Sequence, residues 1–377
     1  MNSSPFIAHA PGVDGLYRCL CRLLSTPRAG EYPFLDELDE AGWDSLISLA
    51  KGEGVAPLLY AKFQAAGWPA EAPARACTML AGDYYRSAAC YSLLRAELER
   101  ILNALAEADV RVLVLKGMSL AGRLYPDPAL RPMSDLDLLI PAEQVGTAVG
   151  CIESCGYRVQ KSSYHVVLWG GPGEQVNVEL HWSLTPGQTG EASENCSGFL
   201  WGNTQPLEVL PGQVLSCEAD LLYLSAHLIL QHGGRPRLIW LYDLHLLLTA
   251  QAASLDWPAL FQRAEELGWE APLAAALSLV QECLGSPLPA ACELLCARTD
   301  PLVPMGFPEF QAWSRAALHS LPFSLRMRFL KSLLFPKKAY MLWRYQPQPA
   351  WLWPFYYLER LATLFHQAAF NRMRRGA

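Results

Sequence analysis

The stretch that decides the fold is an apolar run interrupted by two acids, Ser134-Asp135-Leu136-Asp137-Leu138-Leu139-Ile140-Pro141. Its length, its apolar residues and the closing proline predict a short buried strand. Because side chains alternate between the two faces of a strand, Asp135 and Asp137 project from the same face. Their like charges repel, and a divalent cation such as Mg²⁺, which binds carboxylate oxygens, would relieve that repulsion. The stretch therefore predicts a strand that holds metal ions.

A third acid follows on a predicted hairpin. The strands Tyr164–Trp169 and Val176–Trp182 are separated by a Gly-Gly-Pro-Gly turn. In the second strand, apolar residues alternate with polar ones, which are Asn177, Glu179 and His181. Beside the first strand, Glu179 would complete a set of three carboxylates, as phosphoryl transfer with two metal ions requires.

A glycine turn precedes the acids. Val110–Leu115 is predicted to be a strand and Ser119–Tyr125 a helix, with Lys116 and Gly117 at the turn between them. Free backbone N–H groups at the start of a helix attract phosphate, and glycine permits its close approach. Lys116 would add a positive charge, so the turn predicts a phosphate-binding loop.

The pattern around these strands divides the chain into three parts. Residues 1–105 predict helices, residues 106–212 alternate strands with helices and a hairpin, and residues 213–377 are again helical. We therefore expect an α/β (α+β) fold in which a mixed sheet is flanked by N- and C-terminal helical regions. The sheet would carry the acids, and the C-terminal region would close over them.

Four segments resemble the uncharacterised bacterial nucleotidyltransferase family of the DNA polymerase β-like superfamily, with its LKG…R…DxDLL…HW signature. They are Val114–Gly117, Leu124–Pro126, Arg131–Leu139 and Val178–Trp182. Two further segments are similar to the same family, Gly54–Tyr60 and Trp240–Leu244. The resemblance covers most of residues 40–345 and implies a polymerase β-like sheet.

The resemblance also implies an activity, the Mg²⁺- or Mn²⁺-dependent transfer of a nucleoside monophosphate from an NTP to a small molecule, modified peptide or protein, releasing pyrophosphate. Asp135, Asp137 and Glu179 would be the catalytic metal ligands, although the third acid is often Asp in the superfamily. Gly117 would be the glycine of the phosphate loop. Met118 stands where the superfamily usually has a second glycine or a serine, so a hydroxyl contact would come from Ser119. Such families also occur in peptide natural product biosynthesis.

Two residues near the acids have two interpretations each. Arg131 either contacts the triphosphate or neutralises the two aspartates in the metal-free protein. His181 either has a role at the site, orienting Glu179 or touching the nucleotide, or is a hydrogen-bonded core histidine beside Trp182.

The C-terminal region contains a second group of candidate ligands. Their spacing matches no zinc pattern, and we expect them in the helical core: His227, His232, Asp243 and His245. Arg235 and Arg237 lie in a glycine- and proline-containing loop, where they either reach the nucleotide or stay in solvent.

Charge is distributed unevenly along the chain. The 377 residues are 51% hydrophobic and carry a formal net charge of −6. Residues 315–377, the basic tail, carry 11 Lys/Arg and one acid, a net of +10, whereas the other 314 residues carry 19 positive and 35 negative charges, a net of −16. The tail is also aromatic, and it would either dock on the acidic body of the chain, lie on an anionic membrane surface or bind an acidic partner. No DNA partner is expected, and no RNA-binding module is recognisable.

The 11 cysteines include no CxxC pair and fit the reduced thiols of a cytoplasmic protein. The first residues lack the pattern of a secretory signal. Two other functions stay open. One is a non-catalytic scaffold of the same fold that binds a peptide or a membrane, and the other is a toxin-like nucleotidyltransferase acting on tRNA or protein.

Overall fold

The computed structural model describes residues 13–25, 35, 38–70, 72–162, 165–182, 191–231, 237–251, 253–290, 292 and 349–358. Of the basic tail it describes only 349–358, where a 3₁₀ helix spans Ala350–Phe355. The docking of the tail, His232 and Arg235 therefore lie outside the described residues. Within those residues, no helix combines the length and the apolar character needed to cross a membrane.

A seven-stranded mixed sheet lies at the centre of the described fold. Its strands are β1 Leu113–Val114, β2 Asp135–Leu139, β3 Arg158–Ser162, β4 His165–Gly170, β5 Val176–His181, β6 Thr204–Pro206 and β7 Gln213–Leu215. The order across the sheet is β3-β4-β5-β2-β1-β7-β6. β2 and β5 run parallel, whereas β1 and β2, and β4 and β5, are antiparallel. The predicted mixed sheet flanked by helices is confirmed, with the acid-bearing strand at its centre.

Some strands differ from the sequence-based expectation. β1 has two residues, where the apolar run Val110–Leu115 predicted a longer strand. β3, β6 and β7 were not predicted, because they are short and carry polar residues in place of an apolar run. Pairing with a neighbouring strand, which local patterns do not reveal, places these segments in the sheet.

Helices precede, interrupt and follow the sheet. The first are α1 Val13–Ser25, α2 Glu40–Gly52, α3 Ala56–Ala66 and α4 Ala74–Glu107. Between the strands lie α5 Lys116–Leu124, α6 Val145–Ser154 and α7 Glu191–Gly202. The last are α8 Cys217–Ala226, α9 Leu238–Gln251, α10 Trp257–Leu267 and α11 Glu270–Leu284, with a π-helical turn at His227–Gln231.

The two faces of the sheet pack against different helices. Leu136 and Leu138 of β2 belong to a core that includes buried residues of α4 and α6. Leu139 instead belongs to a second core, which joins α1, α2 and α3 to α8, α9, α10 and α11. Asp135 and Asp137 alternate with the first pair and share the face of Leu139. The acids therefore point toward the side of the sheet on which the helices of both chain ends pack together.

The division into residues 1–105, 106–212 and 213–377 stays a prediction. Within the described residues, however, the first and last helices share one buried core, to which Leu20 of α1 and Leu277 of α11 both belong. Segments far apart in sequence thus form a common helical layer beside the sheet.

Candidate active site

The register of β2 and β5 brings the three predicted carboxylates together. Asp137 lies directly opposite Glu179, and Asp135 lies opposite Asn177 one pleat away. Adjacent strands are about 4.8 Å apart, so side chains at paired positions are close neighbours. Asp137 is buried, whereas Asp135 and Glu179 are half-buried. One face of two neighbouring strands therefore carries three acids within reach of one another.

Lys116 reaches these acids from the start of α5. The helix begins at Lys116 itself, whose φ of 49° lies in the left-handed region. This conformation costs a non-glycine residue about 1–2 kcal/mol. Its Nζ donates to Asp137 Oδ1 at 2.8 Å. The strained turn thus brings a buried cation, with its side chain only 18% exposed, onto the central carboxylate.

Two histidines lie on the other side of the acids. His181 Nε2 is 3.1 Å from Asp137 Oδ1 and 3.6 Å from Glu179 Oε2. The ring of His165 stacks on that of His181 with centroids 5.0 Å apart, and its Nε2 is 3.8 Å from Glu179 Oε2. Sequence reasoning missed His165. The signal was the hairpin register, which pairs His165 with His181.

The pKa values of the two aspartates shift in opposite directions in this environment. Burial alone would raise the pKa of Asp137, but the Lys116 ammonium and the His181 imidazole hold it well below its ordinary value. Burial, reinforced by the charge of Asp137, raises the pKa of Asp135 to about 6. The central carboxylate is therefore compensated by cationic neighbours, whereas at the outer one burial and the neighbouring acids outweigh the charges of Lys116 and Arg131.

The pKa values of Lys116, His181 and Glu179 all shift in the direction that favours the charged form. Burial would lower the pKa of Lys116, yet the carboxylate of Asp137 holds it above its ordinary value. Burial would likewise lower the pKa of His181, and its contacts with Asp137 and Glu179 raise it instead. The same contact with His181 lowers the pKa of Glu179. The cluster is thus an electrostatically coupled set of anions and cations on one sheet face.

Gly117 lies against the guanidinium of Arg131. A Cβ at Gly117 would stand 2.6 Å from Arg131 Nη1, so a side chain does not fit there. Arg131 is held by Asp243 of α9, donating from Nε at 3.1 Å and from Nη2 at 2.8 Å. The Tyr125 hydroxyl donates to the same carboxylate at 2.7 Å. Arg131 therefore ties the phosphate-loop turn to the helical layer, a contact that neither sequence-based interpretation of it included.

Ser119, like Gly117, lies against an arginine that is paired with an acid of the helical layer. It is buried within the first turns of α5, where its Oγ accepts from Arg123 Nη1 at 3.0 Å. The same nitrogen donates to Asp220 of α8 at 2.9 Å. A phosphate contact of Ser119 stays a prediction. In this structure its hydroxyl belongs to a second junction between α5 and the helical layer.

The remaining candidates of the C-terminal region lie in the helical layer. Asp243 is buried in the ion pair with Arg131, and His245 Nδ1 lies 2.7 Å from Ser286 Oγ. His227 packs edge-on against Trp240, with ring centroids 6.3 Å apart. Arg237 donates from Nε to the backbone carbonyl of Gly52 at 3.0 Å. These contacts join different segments of the helical layer.

The strand acids are suited to a divalent cation. One ligand atom each of Asp137, Glu179 and His181 lie within 4.8 Å of one another, and among the described residues this is the group with that geometry. Asp135, on the same face, adds a further carboxylate. Carboxylate oxygens with an imidazole nitrogen form a chemically suitable donor set. The arrangement can therefore hold a cation next to the N-terminus of a helix, where anions bind.

Comparison with known proteins bears on this site. Two solved structures are similar in fold, though at low TM-scores. The antibiotic-resistance factor ANT(2″)-Ia is 18% identical, with 50% of this chain and 95% of that chain covered and a TM-score of 0.33. A nucleotidyltransferase-like protein from Paracoccidioides brasiliensis is 13% identical, with 53% and 95% covered and a TM-score of 0.38. A search of the curated proteins finds no significant match.

A family model supplies the decisive comparison. The model described as "Uncharacterised nucleotidyltransferase" matches residues 39–285, roughly two thirds of the chain. The match begins where the sequence resemblance begins and ends before residue 345, where that resemblance was expected to extend. It contains the sheet, the acids, Lys116 and the arginine ties to α8 and α9. The chain therefore belongs to the uncharacterised nucleotidyltransferase family.

Proposed function

We propose that this chain transfers a nucleoside monophosphate from an NTP to an acceptor, a small molecule, a modified peptide or a protein, in a Mg²⁺- or Mn²⁺-dependent reaction. The observation that carries the proposal is the register that places Asp137 opposite Glu179, with Asp135 on the same face and Lys116 in contact with Asp137. Membership of the nucleotidyltransferase family supports it.

The three carboxylates would have different roles, which follow from their positions. Asp135, Asp137 and Glu179 would hold the divalent cations, which supply charge neutralisation and acidify the attacking hydroxyl. Glu179 is 26% exposed at its side chain, against 6% for Asp137, so an acceptor can reach it more readily than the central acid. We assign it the proton of the acceptor hydroxyl. As the acceptor oxygen bonds to the α-phosphorus, the bond to the β-phosphate oxygen breaks and pyrophosphate leaves.

The start of α5 would bind the phosphates. Gly117 lets the first backbone N–H groups of the helix approach an anion closely, and the helix dipole favours negative charge there. Lys116 would turn from Asp137 to a phosphate oxygen. Arg131 and Ser119 would act by holding this turn against α8 and α9. His181 would contact the nucleotide. In-line transfer relies on such positioning and charge, so no covalent nucleophile is required.

Incubation with each α-³²P-labelled NTP, MgCl₂ or MnCl₂ and fractionated bacterial extract tests the proposal. The expected result is a labelled acceptor in one fraction, with pyrophosphate released in equal amount, and neither product with Asp137→Asn. Absence of label and of pyrophosphate with all NTPs and both metals would favour the scaffold interpretation. Label confined to tRNA would favour the toxin-like one.

A further inference from the structure

We propose that the cation at this site is bound through an imidazole nitrogen as well as through carboxylates, with His181 Nε2 joining Asp137 and Glu179, so that the site prefers a divalent transition-metal ion to Mg²⁺. This inference rests on the proposed function in placing a cation at the strand acids. It goes further in naming a nitrogen ligand and the class of metal.

Two of the three distances between the donor atoms match the spacing of ligands around one ion. Ligand atoms about 2.1 Å from a metal lie about 3.0 Å apart at a right angle and about 3.4 Å apart at a tetrahedral angle. His181 Nε2 is 3.1 Å from Asp137 Oδ1 and 3.6 Å from Glu179 Oε2, and one ligand atom of each residue lies within 4.8 Å of the others. For all three to bind a single ion, the carboxylates would move closer together and Lys116 Nζ, 2.8 Å from Asp137 Oδ1, would withdraw.

The histidine ring is oriented by its surroundings. His181 is the last residue of β5, on the strand that also carries Glu179, and it is buried. The stacked ring of His165, tilted by 29° and also buried, covers one face of the imidazole. His165 Nε2 is itself 3.8 Å from Glu179 Oε2, farther from the acids than His181 Nε2. His165 is thus a positioning residue, and His181 presents the ligand atom.

The nature of the donors decides the metal class. Mg²⁺ selects oxygen ligands and retains water, whereas imidazole nitrogen suits transition metals. Replacing one oxygen ligand by nitrogen therefore weakens the site for Mg²⁺ and strengthens it for the divalent ions that imidazole suits, such as Fe²⁺, Ni²⁺ and Zn²⁺. The Lys116 ammonium on Asp137 Oδ1 is the cation that such an ion would displace.

Pulsed EPR of bound Mn²⁺ tests the ligand directly. MnCl₂ is added to the full chain without nucleotide, and the electron spin echo modulation is recorded for protein with natural-abundance histidine and with ¹⁵N-labelled histidine. We expect ¹⁴N modulation that changes to ¹⁵N modulation on labelling. His165→Gln should retain the modulation, and His181→Gln should lose it. Bound Mn²⁺ without nitrogen modulation would overturn the proposal, as would modulation lost with His165→Gln but kept with His181→Gln.

A competition titration tests the preference without relying on a variant that folds. Free Mn²⁺ is counted by its EPR signal while ZnCl₂ or MgCl₂ is added to the wild type. We expect Zn²⁺ to displace Mn²⁺ at a concentration more than roughly tenfold lower than Mg²⁺ requires. Equal affinities would contradict the inference. Circular dichroism of His181→Gln shows whether the variant is folded, and hence whether its loss of modulation reflects the lost ligand. If the variant is unfolded, the comparison of ¹⁴N and ¹⁵N modulation in the wild type tests the proposal.

The failure of this inference differs from the failure of the proposed function. Nitrogen modulation in a protein that labels no acceptor would contradict the proposed transfer activity and support the histidine ligand. Transfer of label by a protein whose bound Mn²⁺ has oxygen ligands alone would do the reverse.

Discussion

Two groups of acids, one on the helices and one on the strands, differ in how their charge is balanced. On the helices, Asp220 is paired with Arg123 and Asp243 with Arg131, and both carboxylates are buried. On the strands, three acids share one lysine, Lys116, and one histidine, His181. Each helix acid therefore has an arginine of its own, although burial still raises the pKa of Asp220 to about 7, whereas the three strand acids share two basic partners.

This difference separates structure from function among residues of one type. Removing a partner from a buried, fully paired ion pair leaves an uncompensated charge and destabilises the fold. A cluster of like charges that the chain does not neutralise costs stability, and it persists at sites that bind a cation. Substitutions of the two groups should therefore have different, and in one case opposite, consequences.

The largest effect is expected from Asp137→Asn. The amide keeps the shape of the side chain and removes the negative charge at the centre of the strand cluster. Because metal-assisted charge stabilisation contributes several kcal/mol, the rate of NMP transfer should fall on the order of 10³-fold or more. Steady-state release of pyrophosphate measures this loss.

Asp220→Asn is the matched control for Asp137→Asn. It removes a carboxyl group from the helix group, where burial raises the pKa of Asp220 to about 7, and it keeps an oxygen that can accept from Arg123. The rate should fall less than about tenfold, because Asp220 touches α5 and none of the strand acids. Equal losses for the two variants would contradict the distinction between the groups.

Asp243→Asn should have the next largest effect, on stability. Arg131 is 7% exposed and would lose its bidentate carboxylate partner, so the free energy of unfolding should decrease by about 3 kcal/mol. Urea denaturation followed by circular dichroism measures the change. A double variant, Arg131→Met with Asp243→Leu, should recover much of the loss; if the single variant is as stable as the wild type, the ion pair does not join the two regions.

Gly117→Ala disrupts the contact between the start of α5 and Arg131, which Asp243 of α9 holds in place. The added methyl group would stand 2.6 Å from Arg131 Nη1, and Asp243 prevents the guanidinium from moving away. Such overpacking should cost about 2 kcal/mol of unfolding free energy.

The control is Gly122→Ala in the same helix, where the nearest atom to a new Cβ is the Tyr91 hydroxyl oxygen at 3.8 Å. Since alanine is the better helix former, this variant should be more stable by about 0.5 kcal/mol. A Gly117→Ala protein as stable as Gly122→Ala would remove the physical reason for glycine at the turn.

Among the substitutions of acids, the smallest effect on stability has the opposite sign to that of Asp243→Asn. Burial and the charge of Asp137 raise the pKa of Asp135 to about 6, which means that its ionised form is disfavoured in the metal-free fold. In EDTA at neutral pH, Asp135→Asn should therefore increase the free energy of unfolding by about 1 kcal/mol while it weakens transfer activity. A loss of stability comparable to that of Asp243→Asn would show that the strand acids are structural.

Local sequence patterns predicted the core of the site. The alternation of leucine and aspartate in β2 and of valine and glutamate in β5 fixes which face each acid occupies. The apolar centre of both segments explains why they became neighbouring central strands. Lys116 was recognised because it ends an apolar run at a predicted phosphate-binding turn, whereas its contact with Asp137 was not predicted.

The contacts between distant segments could not be predicted from those patterns. Arg131 and Asp243 are separated by 112 positions, and Arg123 and Asp220 by 97. Which arginine pairs with which acid depends on how α8 and α9 pack on the sheet. His165 was missed because its role follows from the hairpin register, and the alternation in its own strand carries no polar signal of that kind.

Equilibrium dialysis of MnCl₂ against the wild type, Asp137→Asn and Asp243→Asn tests the central claim most directly. Loss of a group that merely supports a ligand already costs about 10–100-fold in metal affinity, so Asp137→Asn should weaken binding by more than roughly 100-fold. Asp243→Asn, measured under conditions in which it is folded, should stay within about threefold of the wild type, because its charge is balanced by Arg131. Wild-type affinity in Asp137→Asn, or equal losses in both variants, would contradict the account.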